Sequence, residues 1–148
     1  MFKYRGYKVL GEEIAKFADL ALGDEEGLWW DVNALLPVPL HPKRERQRGF
    51  NQAGVLSYEL GKLRGIDVLK GSLVKKKNVS PQTFLAGPER RANVSGAFQV
   101  VHSDKVVGKS LLLVDDVFTT GATLTECCRV LKNAGAKEVR ALTIAQAQ

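Results

Sequence analysis

Cysteine is scarce in this chain of 148 residues, which contains only Cys127 and Cys128 as direct neighbours. Two adjacent cysteines cannot form a disulfide framework, and they are too few for a four-thiolate zinc ribbon. Both lie in a segment that we predict to be helical. We expect them to pack as small apolar residues, with a redox pair as the alternative.

The chain also lacks long apolar runs. Residues 1–17 carry charges throughout, so they match neither a secretory signal nor a membrane span. Hydrophobic residues nevertheless make up 45% of the sequence, which is enough for a core in a single domain. We therefore expect one cytoplasmic domain over residues 1–148.

The net charge of +6 is concentrated in two clusters. The first lies in residues 43–48 and the second is formed by Lys75, Lys76 and Lys77. Together they hold seven of the 22 basic and one of the 16 acidic residues, so the rest of the chain is balanced. Such clusters attract a highly anionic ligand. A solvated surface is the alternative, as is a nucleic-acid contact if the two clusters align.

The most informative segment, residues 111–124, reads LLLVDDVFTTGATL. Its apolar run ends at Val114 and is typical of a strand covered on both faces in a parallel sheet. The carboxylates of Asp115 and Asp116 are therefore expected at the carboxyl end of that strand. This is the edge at which open α/β sheets bind ligands.

Small and hydroxyl-bearing residues follow the two carboxylates. Gly121 permits dihedral angles that are closed to other residues, and a helix beginning near Ala122 would direct its first amides at one anion. An ordinary capped turn is the alternative, although a cap needs only one such residue. The predicted 5-phosphate-binding residues are Val117, Thr119, Thr120, Gly121, Ala122 and Thr123.

The carboxylates would repel a phosphate unless they served another part of the same ligand. Carboxylates accept hydrogen bonds from sugar hydroxyls, and Mg²⁺ prefers oxygen ligands. Asp115 and Asp116 are therefore predicted to bind a ribose diol and Mg²⁺. The whole segment indicates a site for a ribose 5-phosphate.

Three stretches carry a family resemblance. Residues 111–124 resemble the phosphoribosyl pyrophosphate (PRPP) motif of type I phosphoribosyltransferases. Residues 37–53, PVPLHPKRERQRGFNQA, and residues 80–98, with ERRANVSGAF at their end, resemble the ComF/GntX-like (competence protein F) group. The matches span most of the chain from Tyr4 onward. The zinc ribbon with which that group commonly begins has no counterpart here.

The resemblance implies a type I phosphoribosyltransferase-like α/β fold with a mainly parallel central sheet flanked by helices. It also implies a small hood in residues 1–33 and a flexible lid in residues 78–93. Structural roles are the alternatives for His41 and for the two lid arginines. The resemblance assigns catalysis to Asp115, Asp116 and Lys76, pyrophosphate binding to Leu40, His41, Arg48, Lys75 and Lys77, and lid contacts to Gln82, Arg90 and Arg91.

The implied reaction is transfer of a 5-phosphoribosyl group from PRPP to an acceptor, with Mg²⁺ and release of pyrophosphate. A module that senses PRPP or a nucleotide without turnover is one alternative. A competence factor that contacts single-stranded DNA or a helicase during DNA uptake is another. Related domains often dimerise, so a homodimer is also expected. Aromatic residues that could stack a nucleobase acceptor, or simply pack the hood, are Phe2, Tyr4, Tyr7, Trp29 and Trp30.

Periodicity predicts a first helix that ends near Gly23 and further helices over residues 51–63 and 122–134, the last closed by Gly135. Asn51 either caps its helix or contacts the ligand. Alternating strands and helices favour parallel pairing with right-handed crossovers. The predicted strands are residues 34–40, 73–76, 97–101, 110–114 and 139–144.

Overall fold

The computed structural model describes residues 2–23, 27–76, 94–118 and 120–147. Side chains are described from Arg5 onward within these ranges. The elements are α1 (Phe2–Leu22), β1 (Ala34–Pro37), α2 (Pro42–Arg48), α3 (Gln52–Arg64), β2 (Asp67–Val68), β3 (Leu73–Lys75), β4 (Phe98–Val100), a 3-10 turn (Ser103–Lys105), β5 (Ser110–Phe118), α4 (Ala122–Asn133) and β6 (Glu138–Gln146).

Four parallel strands form the central sheet in the order β2-β1-β5-β6. Strand β5 is central and pairs with β1 from Leu111 to Val114. Its residues are apolar at consecutive positions because helices cover both faces of the sheet. Leu111 and Leu113 join one core cluster, whereas Leu112 and Val114 join the other.

Helices α1 and α3 pack on one face of the sheet, and α4 packs on the other. Ala15 of α1 is completely buried in the same cluster as Leu56 and Leu60 of α3. The first helix, predicted as part of a small hood, therefore shares the core of the sheet. No helix in the described ranges is long and apolar enough to cross a membrane.

Two strand predictions are corrected by the structure. Strand β5 does not end at Val114 but continues to Phe118, because β6 runs beside it as far as Gln146. Strands β3 and β4 form a separate antiparallel ribbon instead of joining the parallel sheet, with Lys75 opposite Phe98. Such pairing suits β3 and β4, which are consecutive strands in the chain.

Two helix predictions are confirmed at their ends. Asn51 caps α3, since its side chain accepts a hydrogen bond from the amide of Ala53 at 3.1 Å. Gly135 follows α4 with φ +100, and the amide of Ala136 closes the end on Leu131. These local signals placed the helix boundaries correctly.

Candidate PRPP site

The two carboxylates lie in the part of β5 that extends beyond β1. Asp115 accepts a hydrogen bond from the amide of Asp116 at 2.9 Å, and Asp116 accepts one from the amide of Val117 at 3.0 Å. Burial and the neighbouring Asp116 raise the pKa of Asp115 to about 7. The site thus holds a carboxyl that ionises at neutral pH rather than under acid conditions.

Lys75 lies at the end of β3, and its charge interacts with that of Asp115. Burial lowers the pKa of its ammonium group, the positive charge of Arg44 lowers it further, and Asp115 opposes both effects. Lys76, the predicted catalytic lysine, is exposed, and its amide donates to Ala97 at 2.7 Å. The structure therefore shows an electrostatic interaction of Lys75 with Asp115, while the catalytic role of Lys76 stays a prediction.

Gly121, directly before α4, has the glycine conformation that we predicted. Gly121 adopts φ +77, and a Cβ atom there would lie 3.0 Å from the ring of Phe118. The hydroxyl of Thr120 accepts from the amide of Ala122 at 3.4 Å, and Thr123 lies in the first turn of α4. Of the other predicted phosphate residues, Val117 donates its amide to Asp116, and Thr119 lies outside the described residues.

The basic segment after β1 forms a short helix, α2, that we did not predict from the sequence. His41 caps it, because its Nδ1 accepts from the amide of Lys43 at 3.2 Å, and Gly49 ends it with φ +91. No residue of α2 is buried, so an apolar periodicity was missing. The signals that could have revealed it are Pro42 at the first position and Gly49 at the end.

The basic side chains of α2 lie on two different sides of the helix. Arg44 and Arg48 are four residues apart and therefore lie on one side of the helix. The charge of Arg44 acts on Lys75, and that of Arg48 acts on Tyr7, which also senses Asp116. Arg48 was among the predicted pyrophosphate residues, whereas Arg44 was missed.

A cavity of about 520 Å³ lies between α1 and the junction of α2 with α3. Its wall includes Tyr7 and Phe50, whose ring centroids are 4.9 Å apart. Arg48 donates to the side chain of Gln52 at 2.6 Å, and Gln47 also lines the cavity. Burial, together with Asp116, raises the pKa of the Tyr7 phenol. Tyr7 therefore links this cavity electrostatically to Asp116.

The other predicted residues occupy several environments. Leu40 and Lys75 line a second cleft of about 740 Å³. Asn51 donates to the carbonyl of Val38 at 3.0 Å and so joins the end of β1 to α3, which is a structural role. Trp29 packs on the core, while Trp30 is 72% exposed. The predicted residues Lys77, Gln82, Arg90 and Arg91, like the lid range 78–93, lie outside the described residues.

Helix α4 packs on the core cluster that covers one face of the sheet. Cys127 is completely buried and Cys128 packs against the same cluster, which confirms that both pack as small apolar residues. Glu126 accepts the amide of Gly96 at 3.0 Å and pairs with Arg129 at 2.7 Å. This contact links α4 to the segment that leads into β4.

The donor set fits Mg²⁺. Asp115 and Asp116 supply carboxylate oxygens, which Mg²⁺ prefers while it retains several waters. No cluster of three or more histidine, cysteine, aspartate or glutamate side chains suited to a metal occurs in the ranges that the structure describes. Asp115 and Asp116 are the residues that would hold the ion.

A sequence profile described as the phosphoribosyl transferase domain matches residues 47–148. The chain belongs to the phosphoribosyltransferase family. The match begins in α2 and includes β5, the turn at Gly121 and α4. The matched residues therefore contain both carboxylates and the turn that follows them.

Curated relatives confirm the ComF-like subgroup. Competence protein F of Haemophilus influenzae is 36% identical over 115 residues, which cover 77% of this chain and 50% of that protein. DNA utilization protein YhgH of Escherichia coli (strain K12) is 31% identical over 72% of this chain and 46% of that protein. Competence protein ComFC of Streptococcus pneumoniae is 28% identical over 93% of this chain and 59% of that protein. The chain thus spans about half the length of the curated relatives it matches.

Solved structures confirm the type I phosphoribosyltransferase-like α/β fold. Glutamine PRPP amidotransferase from B. subtilis, complexed with ADP and GMP, superposes with a TM-score of 0.56 at 21% identity, over 93% of this chain and 26% of that chain. Adenine phosphoribosyltransferase from Saccharomyces cerevisiae superposes with a TM-score of 0.52 at 11% identity, over 95% and 68%. At these identities the similarity concerns the fold.

Proposed function

We propose that this ComF-like protein binds PRPP with Mg²⁺ and transfers its 5-phosphoribosyl group to an acceptor, releasing pyrophosphate. One observation carries the proposal. Asp115 and Asp116 lie in β5 shortly before the turn at Gly121, and the charges of Arg44 and Asp115 both act on Lys75. A ligand with a diol between two anionic ends matches this order of charges.

The proposed reaction is a displacement at the anomeric carbon of the ribose. As the bond to pyrophosphate breaks, positive charge develops on the sugar and negative charge on the leaving group. Fixed charges stabilise charge that develops in the transition state. The positive charge on the sugar would be stabilised by Asp116 and ionised Asp115, and the negative charge on pyrophosphate by Lys75, Arg44 and Arg48. Mg²⁺, when bound, would neutralise further charge on the pyrophosphate. Lys76, Lys77, Gln82, Arg90 and Arg91 remain predicted contributors.

The acceptor is proposed to enter by the cavity beside Tyr7. The rings of Tyr7 and Phe50, whose planes are tilted by 35°, supply aromatic surface, and the side-chain amides of Gln47 and Gln52 supply donors and acceptors. A planar nitrogen heterocycle such as a nucleobase suits both features. Pyrophosphate release measured across a panel of bases and amines identifies it, and Tyr7→Ala should reduce that release without abolishing PRPP binding.

Calorimetric titration with PRPP, with and without Mg²⁺, tests the binding step. We expect Mg²⁺-dependent binding by the wild type and none by Asp115→Asn/Asp116→Asn. The control is Asp104→Asn, since Asp104 is an exposed carboxylate that precedes β5 at the opposite edge of the sheet. A wild-type protein that does not bind PRPP under either condition would contradict the proposal, and PRPP binding without turnover would indicate a sensor.

The relatives' names favour a second candidate, a factor that contacts single-stranded DNA or a helicase during DNA uptake. Competence and DNA utilization describe a process that a phosphoribosyltransferase could also serve. Binding to single-stranded DNA should weaken steeply as salt rises and should survive Asp115→Asn/Asp116→Asn. PRPP binding should show the opposite response to that double substitution.

A further inference from the structure

The outward face of α1 carries an unusual pattern. Val9, Glu13, Lys16 and Leu20 are separated by four, three and four residues, so they form one stripe along the helix. Val9 is 66% exposed and Leu20 is 82% exposed, and the charged side chains between them are also exposed. We call these four residues the outer stripe.

The opposite face of α1 packs against the rest of the domain. Ala15 is completely buried, and a Cβ atom on Gly11 would lie 2.8 Å from Val55 of α3. Asp19 pairs with Arg64 of α3. Because these contacts fix the orientation of the helix, the outer stripe points away from the core.

The outer stripe is complementary to itself when it is reversed. Its order is apolar, acidic, basic, apolar. A two-fold axis between two antiparallel copies of α1 would place Val9 opposite the partner's Leu20, and Glu13 opposite the partner's Lys16. A two-fold interface requires this kind of self-complementarity, because the same surface must fit itself.

The residues on either side of the outer stripe agree with that arrangement. Leu10, which is 53% exposed, and Phe17, which is 73% exposed, lie on one side. A two-fold axis brings that side of both copies together, so Phe17 would meet the partner's Leu10. Glu12, which is also bonded to Lys16, lies on the other side and would form part of a polar rim. An apolar centre with a polar rim is the usual composition of an interface.

We propose that two copies of this chain pair through the outer stripe of α1 in an antiparallel arrangement. Within one copy Lys16 already contacts Glu12 and Glu13 at 3.0 and 3.1 Å, but exposed ion pairs contribute little and can be shared with a partner. The same helix contributes Tyr7 to the proposed acceptor cavity, so pairing would stabilise one wall of that cavity. The pairing itself does not depend on the proposed catalysis.

Sedimentation equilibrium over a range of protein concentrations tests the pairing. One helix pair is smaller than the standard interface of about 1,600 Å², so we expect a reversible dimer with a Kd on the order of micromolar. Leu20→Lys should leave only monomer. The control is Val101→Lys, since Val101 is 50% exposed beyond β4 and does not belong to the outer stripe. A wild type that stays monomeric, or a dimer that Leu20→Lys leaves intact, would overturn the proposal.

Charge exchange gives a sharper test of the register. Glu13→Lys would face the partner's Lys16, and Lys16→Glu would face the partner's Glu13, so each variant alone should dimerise about tenfold more weakly. A mixture of the two variants restores both opposite-charge contacts and should form a heterodimer. The double variant restores the same contacts between two identical copies and should form a homodimer. Circular dichroism checks that α1 remains helical. Single variants that dimerise as tightly as the wild type would refute the antiparallel register.

Discussion

At the scale of single residues, two conditions act on the pKa of Asp115. Its carboxyl is partly buried and adjoins a second carboxylate, and both conditions raise that pKa to about 7. Binding of a divalent cation would favour the ionised form, so Mg²⁺ binding should release a proton near neutral pH. Mg²⁺ affinity is therefore expected to rise as pH increases through about 7.

The same shift predicts a pH dependence of stability in metal-free protein. The ordinary pKa of 3.8 applies to the unfolded chain, and the folded value is about 7. The folded state thus retains a proton that the unfolded state has lost. The free energy of unfolding should fall as pH rises from about 4 to about 7. Urea denaturation with a chelator at several pH values measures this slope, and Asp115→Asn should reduce it. An unchanged slope in that variant would contradict the assignment.

Gly121 shows how one residue serves both backbone and packing. Its φ of +77 suits glycine, and a Cβ atom there would be crowded at 3.0 Å from the ring of Phe118. Gly108 has a similar φ of +73 but open space around it, so it is a matched control. We expect Gly108→Ala to cost about 1 kcal/mol, and Gly121→Ala to cost more. Only Gly121→Ala should weaken PRPP binding. Urea denaturation and PRPP titration on both variants provide the measurements, and equal effects would refute this account.

At the scale of elements, α3 approaches β2 closely at one position. A Cβ atom on Gly61 would lie 2.7 Å from the carbonyl oxygen of Ile66, whereas one on Gly54 would lie 3.6 Å from its nearest neighbour. Gly61→Ala should therefore destabilise the protein by about 1–3 kcal/mol. Gly54→Ala, in the same helix, should stabilise it by about 0.5–1 kcal/mol. Thermal unfolding compares the two, and loss of stability in both would contradict the prediction.

Helix α2 separates its basic residues into two faces, which gives a test with equal charge change. Arg44→Gln/Arg48→Gln removes the face beside Lys75 and Tyr7, while Lys43→Gln/Arg46→Gln removes two exposed cations. We expect the first pair to weaken PRPP binding roughly tenfold or more, because charged hydrogen bonds to the ligand are lost. The second pair should change it little. Calorimetry on both variants decides between a local site and a general charge effect.

At the scale of the whole molecule, charge and topology converge on one edge of the sheet. Helix α2 follows the carboxyl end of β1, and Lys75 at the end of β3 interacts electrostatically with Asp115 of β5. A molecule with this distribution presents positive potential around a pair of carboxylates. That combination favours an anionic ligand with a neutral, hydroxyl-bearing middle.

The sequence predicted much of this arrangement from local patterns. Consecutive apolar residues marked β5, and Gly23 and Gly135 marked the ends of α1 and α4. The antiparallel ribbon could not be predicted, because a short apolar stretch such as β3 contains no information about the direction of its partner. Helix α2 was missed because short polar helices have no apolar periodicity.

The sequence by itself determined the family, the parallel sheet and the segment with Asp115, Asp116 and Gly121, since these depend on residues that are neighbours in the chain. Only the tertiary structure decided that Lys75 interacts electrostatically with Asp115 and Arg44, and that Tyr7 does so with Asp116 and Arg48. Those interactions join residues from α1, α2, β3 and β5. Their proximity arises from the packing of separate elements around the sheet, which no local pattern records.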